Sequence, residues 1–123
     1  MTAREMMNIV DGRVLMGEEG LDRDIQTAFC SDLMSDVLAF VNEETVLITG
    51  LVNPHVVRTS EMLDLKCILF VRGKQPSQDI LDAAEDMGMT VLSTRHTAFT
   101  VCGMLYAAGL RGIQIEWKSA GEG

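Results

Sequence analysis

Polar residues in this sequence gather where short apolar runs stop. Thr49-Gly50 is followed by Asn53, Arg72-Gly73 follows Cys67–Val71, and Ser93-Thr94 leads to His96 and Thr97. Ser31 and Asp32 stand close behind an earlier run that stops at Cys30. These are hydroxyls, an amide, a carboxylate, a cation and glycines that allow close backbone approach. Such groups hold a ligand by charge and hydrogen bonding. If the runs are parallel strands, their carboxyl ends form one edge, the place where open α/β sheets bind ligands. Helices starting near Pro54, Ser77 and Thr97 would aim their N-termini at the same edge, which suits a small anion or phosphate. The candidate ligand set is Ser31, Asp32, Thr49, Asn53, Arg72, Gly73, Ser93 and Thr94. The competing reading is that they are turn and cap residues, since αβ loops use the same types. Arg72 stands out in a chain with 10 basic residues; its ordinary alternative is an ion pair with a nearby carboxylate. His55, in a first helical turn, reads as a surface histidine.

Catalytic signatures are missing. Gly73-Lys74 is followed by Gln75 and lacks the upstream glycine, so there is no Walker-type phosphate loop. No Gly-x-Gly-x-x-Gly follows a strand, and neither a Gly-x-Ser-x-Gly elbow nor a His-Glu-x-x-His pair occurs. No catalytic residue and no cofactor is assigned. Cys30, Cys67 and Cys102 are odd in number, far apart and set among apolar neighbours. They read as buried thiols acting as small hydrophobes, and no metal site is expected.

The elements that would position the polar edge follow from the apolar patterning. Thr45–Thr49, Cys67–Val71 and Thr90–Ser93 read as strands, and the first two show little alternation, as in strands covered on both faces. Between them, Asn53 caps a helix with Pro54 at its first position. Ser77 caps another, with Ile80, Leu81, Ala84 and Met87 on one face and Gly88 ending it. A last helix covers about 97–108. Alternation of this kind implies βαβ crossovers and a small, mainly parallel sheet in a three-layer α/β domain, with helices on both faces. Nearer the N-terminus, Thr2–Ile9 reads as a short helix, and Val14–Met16 and Asp24–Cys30 as short strands. Ser31 is expected to cap a helix with Leu33, Met34, Val37 and Leu38 inward. Ile113–Trp117 reads as an edge strand and Ser119–Gly123 as a frayed tail.

With 123 residues, the chain reads as one domain over 1–123, able to bury roughly two-thirds of its surface. Hydrophobic residues at 47% and charged ones at 23% exclude a disordered chain. A net charge of −8 argues against nucleic acid and anionic membranes as partners, because both need a basic face. No apolar run approaches the roughly 20 residues of a membrane span, and the N-terminal apolar stretch is too short for a signal peptide, so a cytoplasmic protein is expected. The helix near 97–108 is apolar almost all round. Either it is central in the fold or its outer face meets another subunit. With a mean hydropathy of +0.17, high for a small domain, a homodimer is expected.

Several segments resemble the DRTGG domain family. They are Gly20-Leu21-Asp22-Arg23-Asp24-Ile25, then Cys30-Ser31-Asp32-Leu33-Met34-Ser35-Asp36. Glu61–Gly73, Gly88–Thr94 and the Gly103-x-Leu105-Tyr106-x-x-Gly109 ending follow the same pattern. The resemblance covers about residues 2–110. It implies a fold similar to the N-terminal domains of HPr kinase/phosphorylase and Mur ligases. It also implies a regulatory or dimerising module of the kind found beside CBS domains in regulated pyrophosphatases, near acetyl-phosphate enzymes, or alone in hydrogenase gene clusters. One departure is clear: the family's Thr-Gly-Gly is Gln26-Thr27-Ala28 here, which removes backbone access for a ligand at 26–28. The expected function is therefore a non-enzymatic regulatory or ligand-sensing module for a small anionic or nucleotide ligand. The alternatives are a dimeric interaction subunit that acts through a partner protein without a small ligand, and a small phosphate-handling enzyme.

Overall fold

Thr45–Thr49 and Cys67–Phe70 are buried at every position. Successive side chains of a strand point to opposite faces, so both faces of these strands must be covered. The computed structural model, which describes residues 1–117, shows how. In chain order the elements are α1 (Ala3–Ile9), β1 (Arg13–Met16), β2 (Thr27–Cys30), α2 (Met34–Phe40), β3 (Thr45–Thr49), α3 (Pro54–Leu63), β4 (Cys67–Phe70), α4 (Gln78–Asp86), β5 (Thr90–Ser93), α5 (Ala98–Ala107) and β6 (Arg111–Gly112). A 3₁₀ turn at Glu18–Gly20 lies between β1 and β2. One six-stranded sheet has the order β1-β5-β4-β3-β2-β6. Strand β1 is antiparallel to β5, and every other pairing is parallel.

The alternating side chains divide the core in two. Val46, Ile48, Cys67, Leu69 and Leu92 face α1 and α5, where they meet Met6, Val10, Val101 and Leu105. Leu47, Ile68, Phe70 and Val91 face α2, α3 and α4, against Val37, Val56 and Ala84. Local chemistry sets the helix starts. Thr2 and Glu5 close a reciprocal capping box on α1, with Glu5 N donating to Thr2 Oγ1 at 3.1 Å and Thr2 N to Glu5 Oε1 at 3.2 Å. Asn53 caps α3 by accepting from His55 N, with Pro54 at the first helical position. Ser77 caps α4 by accepting from Ile80 N. None of the helices in the described residues is long and apolar enough to cross a membrane.

Four expectations are corrected. Ser31 does not cap α2. Its Oγ accepts from Leu33 N at 3.0 Å, and the helix starts only at Met34, because Asp32 is held back towards β3 by bonds described below. Leu33 is thereby left outside the helix as its N-cap, and the inward face is narrower than expected: Val37 is buried, but Leu33 and Leu38 are 59% and 40% exposed. The second strand is shorter than Asp24–Cys30, since Asp24 makes only an isolated bridge to Thr2. The final edge strand is Arg111–Gly112, beside Thr27–Ala28, and residues 113–117 continue without pairing. The tail expected at Ser119–Gly123 lies outside the described residues.

Arg23 ties the amino ends of the central strands together. Its Nη1 donates to Lys66 O at 3.0 Å and its Nη2 to Gly88 O at 2.8 Å. The first carbonyl precedes β4 and the second precedes β5. Arg23, in the segment that carries the family-like pattern, therefore braces the sheet edge opposite the strand carboxyl ends. Replacing Arg23 with Met keeps much of the stem packing and removes both charge-assisted bonds. Arg23→Met is expected to lower unfolding stability by about 1.5–3 kcal/mol, read as a lower urea midpoint at unchanged slope.

Candidate functional site

Parallel β2, β3, β4 and β5 bring their carboxyl ends to one edge. The loops leaving them are stitched laterally: Ser31 N donates to Ile48 O at 3.1 Å, Val71 N to Thr49 O at 3.1 Å, and Thr94 N to Phe70 O at 3.0 Å. The ladder thus runs one residue past each strand, and the first residues beyond it have fixed positions.

Arg72 and Gly73 form the centre of this edge. Both have left-handed backbone, with φ of 61° and 66°. Lys74 N donates back to Val71 O at 3.3 Å, closing a tight turn of the type that needs positive φ at both central positions. Glycine takes this conformation freely, whereas a residue with a Cβ such as Arg72 bears roughly 1–2 kcal/mol of strain. Two bonds to the loop after β5 hold the turn: Arg72 N to His96 O at 2.7 Å and Gly73 N to Thr94 O at 2.9 Å. Among the described residues Arg72 enters no ion pair.

Asp32 supplies the opposing charge. Its Oδ1 accepts from Thr49 Oγ1 at 2.7 Å and from Gly50 N at 2.9 Å. The Thr49 and Gly50 bonds, with the nearby cations Arg72 and Lys74 adding to them, hold its carboxyl below the ordinary range. Both bonds fall on Oδ1, so Oδ2 can still accept from a ligand hydroxyl or amine.

Two clefts of about 330 Å³ each open at this edge. One is lined by Cys30, Ser31, Asp32, Gly50, Val71, Arg72 and Ala98. The other is lined by Asp11, Gly12, Arg13, Gly73, Gln75, Ser93, Thr94 and Arg95. The Arg72–Gly73 turn contributes a residue to each. Their volumes lie at the lower end of the roughly 300–1,000 Å³ typical of small-molecule sites.

The sequence-derived candidates are distributed as follows. Ser31, Asp32 and Arg72 share one cleft, and Gly73, Ser93 and Thr94 share the other. Thr49 is buried and acts through Asp32. Thr94 Oγ1 donates to Val10 O at 2.7 Å, a buried bond that fixes the end of α1. Asn53 lines neither cleft, and its side chain caps α3. Arg13 and Arg95 were not singled out from the sequence. Arg95 was within reach of the strand-end rule, as it directly follows Thr94. Arg13 was not, because it starts β1, and only antiparallel pairing with β5 sets it opposite Ser93. Together Arg13, Arg72, Lys74 and Arg95 place four of the 10 basic residues at this edge, against the carboxylates of Asp32 and of Asp11, which lies 3.9 Å from Arg95. An acidic chain thus carries a local cationic rim. Among the described residues no cluster of His, Cys, Asp and Glu is placed to hold a metal ion.

The DRTGG domain family model matches residues 5–108. The chain is 27% identical over 111 residues to a Bacillus subtilis (strain 168) protein, "Uncharacterized protein YtoI", covering 88% of this chain and 24% of that one. It also superposes with a TM-score of 0.68, at 17% identity, on the CBS and DRTGG domains of the regulatory region of a Clostridium perfringens pyrophosphatase. That structure is a complex with an activator, diadenosine tetraphosphate. The match covers 85% of this chain and 45% of that structure. The chain therefore spans about a quarter of its curated relative and less than half of the solved neighbour.

The Asp32 contacts predict a pH dependence. A carboxyl whose folded-state pKa is depressed contributes stability above its unfolded pKa, and that contribution is lost as pH falls through the folded value. Asp32→Asn should therefore be less stable than the parent at neutral pH, by no more than about 1 kcal/mol because Asp32 is exposed. The two should converge below the ordinary carboxylate range. Urea unfolding at a series of pH values checks this.

Proposed function

Because the chain belongs to the DRTGG domain family, we propose that it is a non-enzymatic regulatory module that senses a small anionic ligand at the carboxyl edge of its sheet. The observation that carries this reading is the Arg72 turn. A cation on strained left-handed backbone, in no ion pair among the described residues, sits in a cleft with Asp32, whose carboxylate is oriented by Thr49 and Gly50. Strain of this sort persists where surrounding bonds over-determine it, and it concentrates at ligand clamps. The cationic rim suits a phosphate, while the free oxygen of Asp32 suits a hydroxyl or amine on the same molecule. A nucleotide or phosphorylated metabolite offers both. The solved neighbour, a regulatory region bound to a dinucleoside polyphosphate activator, supports the same class. We place the protein in the cytoplasm, where such molecules are held.

Catalysis is not part of this reading. Gly73-Lys74 does not sit in a phosphate loop, and the amide of Gly73 is already committed to Thr94 O. Phosphate release from ATP should stay at the rate seen without protein. In thermal-shift and calorimetric titrations with ADP, diadenosine tetraphosphate, a sugar phosphate and inorganic pyrophosphate, at least one probe should stabilise the chain. The gain is about 2.7 kcal/mol at 100 times its Kd. Arg72→Ala should weaken that probe by about 1.5–3 kcal/mol, the worth of a charge-assisted bond, and Arg4→Ala, far from the edge on α1, should not. Affinity that ignores Arg72→Ala would remove the site from this edge.

A second feature supports a homodimer. Val101 and Leu105 anchor α5 on the sheet, which leaves Phe99 90% exposed and Tyr106 61% exposed on the outward side. Gly103 lies exposed between them, with open space where a Cβ would be. Two aromatics two turns apart, with a glycine gap about one turn from each, form a knob and a hole on one face. A two-fold axis lets each copy seat its knob in the other's gap. Sedimentation at micromolar concentration should give the mass of two chains. Phe99→Glu, which touches no core position, should return the mass of one. A single-chain mass for the parent would end the dimer reading and leave the ligand site standing.

A further inference from the structure

Two of the three cysteines do not behave as the buried hydrophobes their neighbours suggest. Cys30 ends β2 and is exposed, and Cys102, in the second turn of α5, is half-buried. Although 72 positions apart in sequence, both line a small, mostly apolar cleft of about 160 Å³ between β2 and α5, with Ile48 and Leu105. Across that cleft each thiol shifts the acidity of the other. Cys67 differs in every respect: it is fully buried on β4, and burial pushes its thiol up to about 12.

We propose that Cys30 and Cys102 form a redox-active dithiol, a modification site that closes to an intrachain disulfide by exchange with a small disulfide. Their mutual influence gives the two sulfurs different roles. Cys30, acting as the donor, holds the Cys102 thiol down to about 7, against its partial burial. The same influence, with burial, the charge on Cys102 and that on Asp32, pushes Cys30 up. The pair therefore shares one thiolate, carried by Cys102. That thiolate attacks one sulfur of the oxidant RSSR, forming a mixed disulfide and releasing RS⁻. Cys30 then loses its proton to solvent, and its sulfur attacks the Cys102 sulfur and releases the second RS⁻. The chain loses two protons and two electrons, and the oxidant takes them up to become two RSH. Cys30 and Ala98, the first residue of α5, both line the Asp32–Arg72 cleft. The new bond would therefore pin two walls of that cleft together. The dithiol does not depend on what the cleft binds.

Oxidised glutathione is the probe, applied to the folded full chain and followed by intact mass and peptide mapping. A Cys67→Ser chain should lose two hydrogens, carry no adduct, and give a Cys30–Cys102 cross-linked peptide. In Cys30→Ser the reaction should stop at a glutathione adduct on Cys102, and Cys102→Ser should form no intrachain bond. The alkylation rate of Cys102 should titrate with a midpoint near 7 in the parent, moving towards the ordinary thiol value of about 8.5 in Cys30→Ser. The proposal is overturned by stable adducts on Cys30 and Cys102 in the same chain. It is equally overturned by a chain-to-chain disulfide as the main product, or by a native chain that stays reduced under conditions that oxidise the denatured one.

Discussion

Strands β3 and β4 have no wet face, and this constraint shapes the rest of the molecule. Their apolar side chains are shared between the α1/α5 layer and the α2/α3/α4 layer. A strand buried on both sides must satisfy its backbone polar groups through lateral neighbours. The parallel ladder does this along its length, and Ser31, Val71 and Thr94 extend it one residue into the loops. Polar side chains can therefore meet solvent only at the strand ends. The amino end is braced by Arg23 on two carbonyls. At the carboxyl end the polar groups are arranged with free capacity, and that difference makes it the candidate edge for a ligand.

At the carboxyl edge two features oppose each other usefully. Asp32 is fixed by Thr49 and Gly50 and stays ionised, and Arg72 is fixed by its backbone yet enters no ion pair among the described residues. A cation alone would attract any anion, whereas a cation with an oriented acceptor nearby favours an anion that also donates hydrogen bonds. Thr94 ties this edge to the far layer through Val10. The loop after β5 in turn holds the Arg72 turn through His96 O and Thr94 O. A change in either layer is therefore mechanically connected to the cation.

Helix α5 links the remaining features. Its inner side supplies Val101 and Leu105 to the core, its flank places Cys102 against Cys30, its first residue walls the Asp32 cleft, and its outer side presents Phe99 and Tyr106. An apolar helix with no charged residue has no electrostatic reason to prefer one side. The positions that match the sheet surface decide which side turns inward.

What the sequence determined by itself is whatever acts over a few residues. The β-branched and aliphatic runs at 45–49, 67–71 and 90–93 and the caps at Asn53 and Ser77 were legible, because propensity, capping and periodicity are local, although the second of these strands ends one residue early, at Phe70. Tertiary structure decided what depends on partners distant in sequence. Asp32 bonds to Thr49 and Gly50, so α2 starts late and leaves Leu33 outside it and exposed. Arg13 joins the cationic rim because β1 pairs antiparallel with β5. Cys30 meets Cys102 because α5 crosses the sheet beside β2. No short-range pattern encodes these meetings. They follow from how the layers pack once the two-faced burial of β3 and β4 has been satisfied.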